Sequence, residues 1–160
     1  MKKEIFTSGR TELAGNHTDH QNGRCLGSAI DLGLTARCEA NGTTAVRIQS
    51  MGYETIEIRT NQLSVRTWEF GKPKALVRGV MAAFKELGLN IGGFDAVITS
   101  TIPAGAGLSS SAALSVLIGK ILNELFNDGK VNPIVIARAA HQAENQHFGK
   151  PCGKMSQMVC

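Results

Sequence analysis

Apolar and polar residues alternate over 54–60, ETIEIRT, and a period of two predicts a half-buried strand there. Similar stretches predict a short strand over 4–7, leading into glycines, and further strands over 26–40 and 43–50. Between those last two, ANGTT places Asn41-Gly42 where positive φ is easily adopted, which predicts a hairpin. FDAVITSTIP, 94–103, predicts a strand stopped by Pro103. The period then lengthens. Residues 73–87, PKALVRGVMAAFKEL, read as an amphipathic helix with Pro73 near its start and Gly88 after its end. Residues 108–126 are apolar on nearly every face and predict a central buried helix. Asn132-Pro133 supplies an N-cap and a first-turn proline for another helix, which Gly149 ends. Strands come first, then a strand with helices, so the class expected is an α+β domain. The final GKMSQMVC begins an apolar run without capping it, and the chain is expected to be the front part of a longer protein.

Composition narrows the function classes. The chain has 160 residues, 42% hydrophobic and 19% charged, enough for one globular, soluble domain with a sizeable core. A net charge of +4 without a dense basic run argues against a nucleic-acid partner. The nearest cluster, Lys72, Lys74 and Arg78, reads as a solvated helix start. Cysteines at 25, 38, 152 and 160 lack zinc spacing, and MKKEIFTSGR lacks the apolar stretch of a secretion signal. They read as reduced thiols in a cytoplasmic protein. No apolar run is long enough to span a membrane.

Three segments carry candidate chemistry. PAGAGLSSSAAL, 103–114, follows a strand and opens a helix. Gly105 and Gly107 permit a tight turn and close approach to a ligand. The first helical N–H groups lack internal partners and the dipole favours an anion, so a phosphate fits there. The alternative is a glycine turn with a serine N-cap, for which one serine would suffice. No Gly-Lys-Ser/Thr occurs, so this is not a Walker A sequence. Glu144 shares a helical face with Ala137, Ala140 and His141, and a carboxylate there is costly to bury unless paired. Magnesium would be one partner, and an Arg or Lys another. GNHTDHQNG, 15–23, groups His17, Asp19 and His20 with Asn16 and Asn22. It reads as an Asx-rich turn, as a binder of sugar hydroxyls, or as a zinc site without a third or fourth ligand at familiar spacing.

Taken in order, these segments resemble the galactokinases of the GHMP small-molecule kinase superfamily. GRTELAGNHTDHQNG is similar to the galactokinase signature Gly-Arg-x-Asn-Leu-Ile-Gly-Glu-His-x-Asp-Tyr. PAGAGLSSSAAL resembles the second motif shared with homoserine and mevalonate kinases. AENQHFGKPCGKMSQ resembles Ala-Glu-x-x-x-x-Gly-x-Pro-Cys-Gly-x-Met-Asp-Gln. The resemblance implies a ribosomal protein S5 domain 2-like fold over 1–160 and transfer of the ATP γ-phosphate to the anomeric hydroxyl of galactose or a similar hexose. It implies that Gly105, Ala106, Gly107, Leu108, Ser109, Ser110 and Ser111 wrap the ATP phosphates. Ser111 and Glu144 would hold Mg²⁺. Asn16, His17, Asp19 and the Gly153 backbone would contact sugar, and Arg10 would lie beside the reacting hydroxyl. The zinc reading recedes accordingly.

Three positions depart from the pattern. Asn16 replaces a Glu, which still allows sugar contact but leaves room for another sugar such as N-acetylgalactosamine. His20 replaces a Tyr. Ser156 stands where the family has its catalytic Asp, which implies a slow enzyme, a catalytically silent sugar and ATP sensor, or a deliberately introduced change. The family's C-terminal half, with a third glycine-rich motif and more of the sugar site, is absent from these residues. A weak or inactive piece is expected, with exposed apolar surface favouring self-association.

Overall fold

The structure, a computed structural model, describes residues 1–15, 18, 23–103 and 105–160. Five strands, β1 (Lys3–Ala14), β2 (Leu26–Ala40), β3 (Ala45–Ser50), β4 (Ile56–Arg59) and β5 (Phe94–Ser100), form one sheet in the order β1-β2-β5-β3-β4. All pairings are antiparallel except β3 with β5. The helices are α1 (Pro73–Glu86), α2 (Ser110–Phe126), α3 (Pro133–Gln146) and the short α4 (Met155–Val159). The α+β class expected from the element order is the class observed.

The period of two is visible in the sheet. Leu34, Ala36 and Cys38 of β2, Val46 and Ile48 of β3, and Phe94, Ala96 and Ile98 of β5 point inward and are buried. They pack with Phe84 of α1 and with Leu117, Ile121 and Leu122 of α2 in one core. Charged residues face outward between them, as in the Arg37–Glu4 pair. As its apolar circumference predicts, α2 is the central helix, buried from Ala112 to Asn123 with few breaks. Asn132 caps α3 by accepting a hydrogen bond from Ile134 N at 2.9 Å. Gly79 lets α1 and α3 approach closely. A Cβ there would lie 2.7 Å from the Ala143 Cβ and 2.9 Å from the His147 Cβ. Gly79→Ala is expected to cost about 1–3 kcal/mol despite alanine's better helix propensity, read as a lower urea midpoint with unchanged slope.

The structure corrects three expectations. Asn41-Gly42 does not close a hairpin, because β5 lies between β2 and β3. Asn41 instead forms a wide turn around the start of β5. Its Oδ1 accepts from Thr43 N and Oγ1, and its N–H donates to Gly93 O. The strand expected over 4–7 runs on to Ala14, because β2 is long enough to pair beyond the Ser8–Arg10 irregularity. Arg78 is not solvated: it is 1% exposed. Its Nε and Nη2 each donate at 2.8 Å to the carboxylate of Glu69, which lies on a 3₁₀ turn over Thr67–Glu69. Its Nη1 donates to Gln62 O.

Candidate active site

The strand β5 ends at Ser100, and the chain turns back through 101–109 to start α2. Backbone hydrogen bonds hold that loop on the sheet. Arg10 N donates to Leu108 O at 3.2 Å, and Thr101 N donates to Gly33 O at 3.0 Å. A Cβ on Gly9 would come within 2.9 Å of Leu108 O, so β1 needs glycine where the loop crosses it. Gly105 and Gly107 both take positive φ, 72° and 71°. Ser109 does so as well, φ 60° and ψ 50°, a left-handed conformation that costs a non-glycine residue about 1–2 kcal/mol. Such strain invites a functional explanation.

Ser109 occupies the N-cap position of α2, yet its side chain caps nothing. Its Oγ lies 3.2 Å from the Ser156 Oγ across the cleft. The sequence alternative of a simple serine cap is therefore not what the hydroxyl does. The first turn of α2 is left open to an anion, with the dipole adding to the attraction.

The loop forms one wall of a cleft of about 410 Å³. Every residue from Gly105 to Ser111 lines it, with Arg10, Glu144, Gly153 and Ser156. The sequence reading thus brings together residues separated by up to 146 positions. Arg10 Nε donates to Ser156 Oγ at 3.0 Å, and Nη1 to Gly107 O at 3.3 Å. Ser111 Oγ donates to Glu144 Oε1 at 2.7 Å. Asn16, His17 and Asp19 lie outside the described residues, as does His20.

Sequence reasoning missed several residues of the cleft. Gln157 Nε2 donates to Glu144 Oε2 at 2.6 Å. Lys150 lines the cleft as a second cation beside Arg10. His141 Nε2 lies 2.9 Å from Cys152 O, and Asn145 Oδ1 accepts from Cys152 N at 3.1 Å, so α3 pins the 150–153 segment. Burial raises the Cys152 thiol above its ordinary range, with the nearby Glu144 adding to the effect. The helical spacing from His141 to Asn145 could have signalled this latch, and Gln157 is the closing residue of the Met-x-Gln motif.

Glu144 is 2% exposed, and among the described residues it forms no ion pair. A buried carboxylate and an adjacent hydroxyl are hard oxygen donors of the kind that suit Mg²⁺. The donor set therefore fits that ion. Among the described residues no three His, Cys, Asp or Glu side chains cluster in the manner of a metal site.

Comparison with known proteins gives an independent line. The GHMP kinases N terminal domain matches residues 75–160, and the galactokinase galactose-binding signature matches residues 4–39. The chain is 35% identical to galactokinase from Clostridium beijerinckii over 97% of its own length, and 34% identical to galactokinase from Lacticaseibacillus casei over 97%. It spans 40% of the length of each. Its fold is similar to that of Lactococcus lactis galactokinase complexed with galactose. The TM-score is 0.88 at 27% identity, over 99% of this chain and 41% of that one. Mevalonate kinase from Methanococcus jannaschii shares the fold, with a TM-score of 0.80 at 21% identity over 99% of this chain and 50% of that one.

Proposed function

The chain belongs to the GHMP kinases, by their N-terminal domain, and on that basis we propose that it is the ATP- and sugar-binding part, residues 1–160, of a galactokinase-like kinase acting on galactose. The observation that carries the reading is the cleft itself: an uncapped helix start, an arginine, and a buried carboxylate facing a serine hydroxyl within one space.

The steps follow from the residues. The loop from Gly105 to Ser111, with the first turn of α2, receives the phosphates of ATP on backbone N–H groups. Ser111 and Glu144 would hold Mg²⁺, which would supply neutralisation of the phosphate charge. Asn16, His17, Asp19 and the Gly153 backbone hold the sugar. Arg10 lies beside the reacting hydroxyl, where its guanidinium stabilises developing negative charge. Ser156, held by Arg10 and Ser109, occupies the position of a general base but can only orient the hydroxyl by hydrogen bonding. Catalysis by this chain is correspondingly weak. The reaction places the protein in the cytoplasm, where ATP is available; no helix among the described residues is long and apolar enough to cross a membrane.

Calorimetry with galactose and with ADP plus Mg²⁺ tests the reading, and saturable heat is expected with both. Heat from neither ligand counts against it. Glu144→Gln is expected to weaken Mn²⁺ binding in the presence of ADP by about tenfold or more, because it removes the charged ligand. Electron paramagnetic resonance titration measures this, and unchanged Mn²⁺ affinity would remove Glu144 from the metal site.

Ser156 favours a second reading, a sugar and ATP sensor without turnover. In the full gene product, galactose binding with ADP release at the no-enzyme background would establish it. A panel including N-acetylgalactosamine decides the sugar that Asn16 accommodates. Self-association would use a separate groove of about 900 Å³, whose walls include the half-exposed Phe6, Ile134 and Met158.

A further inference from the structure

The carboxylate of Glu144 is held from two sides. On one side Ser111, in the first turn of α2, donates to Oε1 at 2.7 Å. On the other, Gln157 of α4 donates to Oε2 at 2.6 Å. Both Glu144 and Gln157 are 2% exposed. We propose that Gln157 is a positioning residue that aims the Glu144 carboxylate toward a divalent cation shared with Ser111, an inference that rests on the ATP and Mg²⁺ site proposed above.

Three observations support it. First, the geometry fixes which end of the amide faces Glu144. Reversed, the amide oxygen would stand 2.6 Å from a carboxylate oxygen, two acceptors in contact. Second, among the described residues Gln157 Oε1 is buried without a partner. A buried unpaired amide oxygen costs free energy, and an apolar residue would avoid that cost at this position. The contact that sets glutamine apart here is the strong one from Nε2 to the carboxylate. Third, the burial of Glu144 leaves its orientation to its neighbours. A carboxylate in bulk water rotates freely, whereas one packed against α4 keeps the angle its hydrogen bonds impose. A metal ligand held in this way depends on the residue behind it nearly as much as on its own chemistry. Gln157 also follows Ser156 on the same short helix. The helix α4 therefore sets the cation side of the cleft through Gln157 and the arginine side through Ser156.

Mn²⁺ with ADP is the probe, read by electron paramagnetic resonance on the chain. Gln157→Met keeps the volume and loses the donor. It is expected to weaken Mn²⁺ binding about tenfold. The same change made on top of Glu144→Gln is expected to have no further effect, because the amide acts through the carboxylate. Unchanged affinity in Gln157→Met overturns the proposal. So does an equal loss in both backgrounds, which is the mark of a general packing defect. A wild-type chain that binds no Mn²⁺ in the presence of ADP overturns the nucleotide-site reading and this one together. Should Gln157→Met fail to fold, the wild-type protein still decides. The Gln157 side-chain amide resonances are expected to shift when Mg²⁺ is added to the ADP-bound chain, and resonances that stay in place overturn the proposal.

Discussion

Replacing Ser156 with aspartate is expected to raise galactose-dependent ADP release by the full gene product by about 10²–10⁴-fold, the usual worth of a general base. The geometry for this is already in place. Arg10 Nε reaches the Ser156 Oγ at 3.0 Å, so a carboxylate there would form an ion pair with the guanidinium, where the serine hydroxyl only accepts its hydrogen bond. Ser109, 3.2 Å away on the other side, limits the rotamers open to the new side chain. A serine hydroxyl cannot accept and keep a proton near neutral pH, whereas an aspartate can accept it or hold it in place. Coupled-enzyme measurement of ADP release with and without galactose reads the effect. An unchanged rate would mean that the step is limited elsewhere, and would remove Ser156 from the role proposed for it.

Arg78→Met is expected to destabilise the chain by about 3–5 kcal/mol. The pair it breaks is buried on both sides, with Arg78 1% and Glu69 5% exposed. Its removal leaves the Glu69 carboxylate without its two 2.8 Å donors. Arg66, 3.7 Å from that carboxylate and partly in water, replaces little of the loss. The effect depends on pH. The hydrogen bonds from Arg78 hold the Glu69 carboxyl below its ordinary value of 4.5. The pair's contribution is therefore complete above about 4.5 and is lost as pH falls through the lowered native value. Urea denaturation near neutral pH should show the full difference between wild type and variant, and the difference should shrink in acid as Glu69 is protonated, down to the part carried by the Arg78 bond to Gln62 O. Replacing Glu69 and Arg78 together by apolar residues should cost much less than either change alone.

The sequence made the elements and the glycine- and serine-rich loop before α2 legible because their signals are local. Pro73, Asn132-Pro133 and the apolar circumference of 108–126 each act within a few residues. A carboxylate on an alanine-lined face signals that Glu144 needs a partner, but spacing leaves that partner open, and only the family resemblance joins Ser111 to it. What stayed hidden depends on distant packing. Asn41-Gly42 has the chemistry of a hairpin, yet strand order is decided by where Phe94, Ala96 and Ile98 bury best. Arg78 looks like one more cation on an amphipathic helix until its partner, nine residues earlier on a 3₁₀ turn, is seen. Gln157 closes a motif in the sequence, but its contact with Glu144 is not legible there, because it exists only where α3 and α4 meet. The hydroxyl of Ser109, turned from its expected cap toward Ser156, is hidden for the same reason.

The placement of β5 between β2 and β3 has a consequence for how the protein is made. As the chain leaves the ribosome, the first three strands emerge with their turns in order, but the second and third have no edge to share. The sheet cannot close until Phe94–Ser100 has been synthesised and threaded into the middle. For the duration of that delay two apolar strand edges stand unsatisfied, and the nascent domain depends on speed or on a chaperone to keep them from pairing with a neighbour.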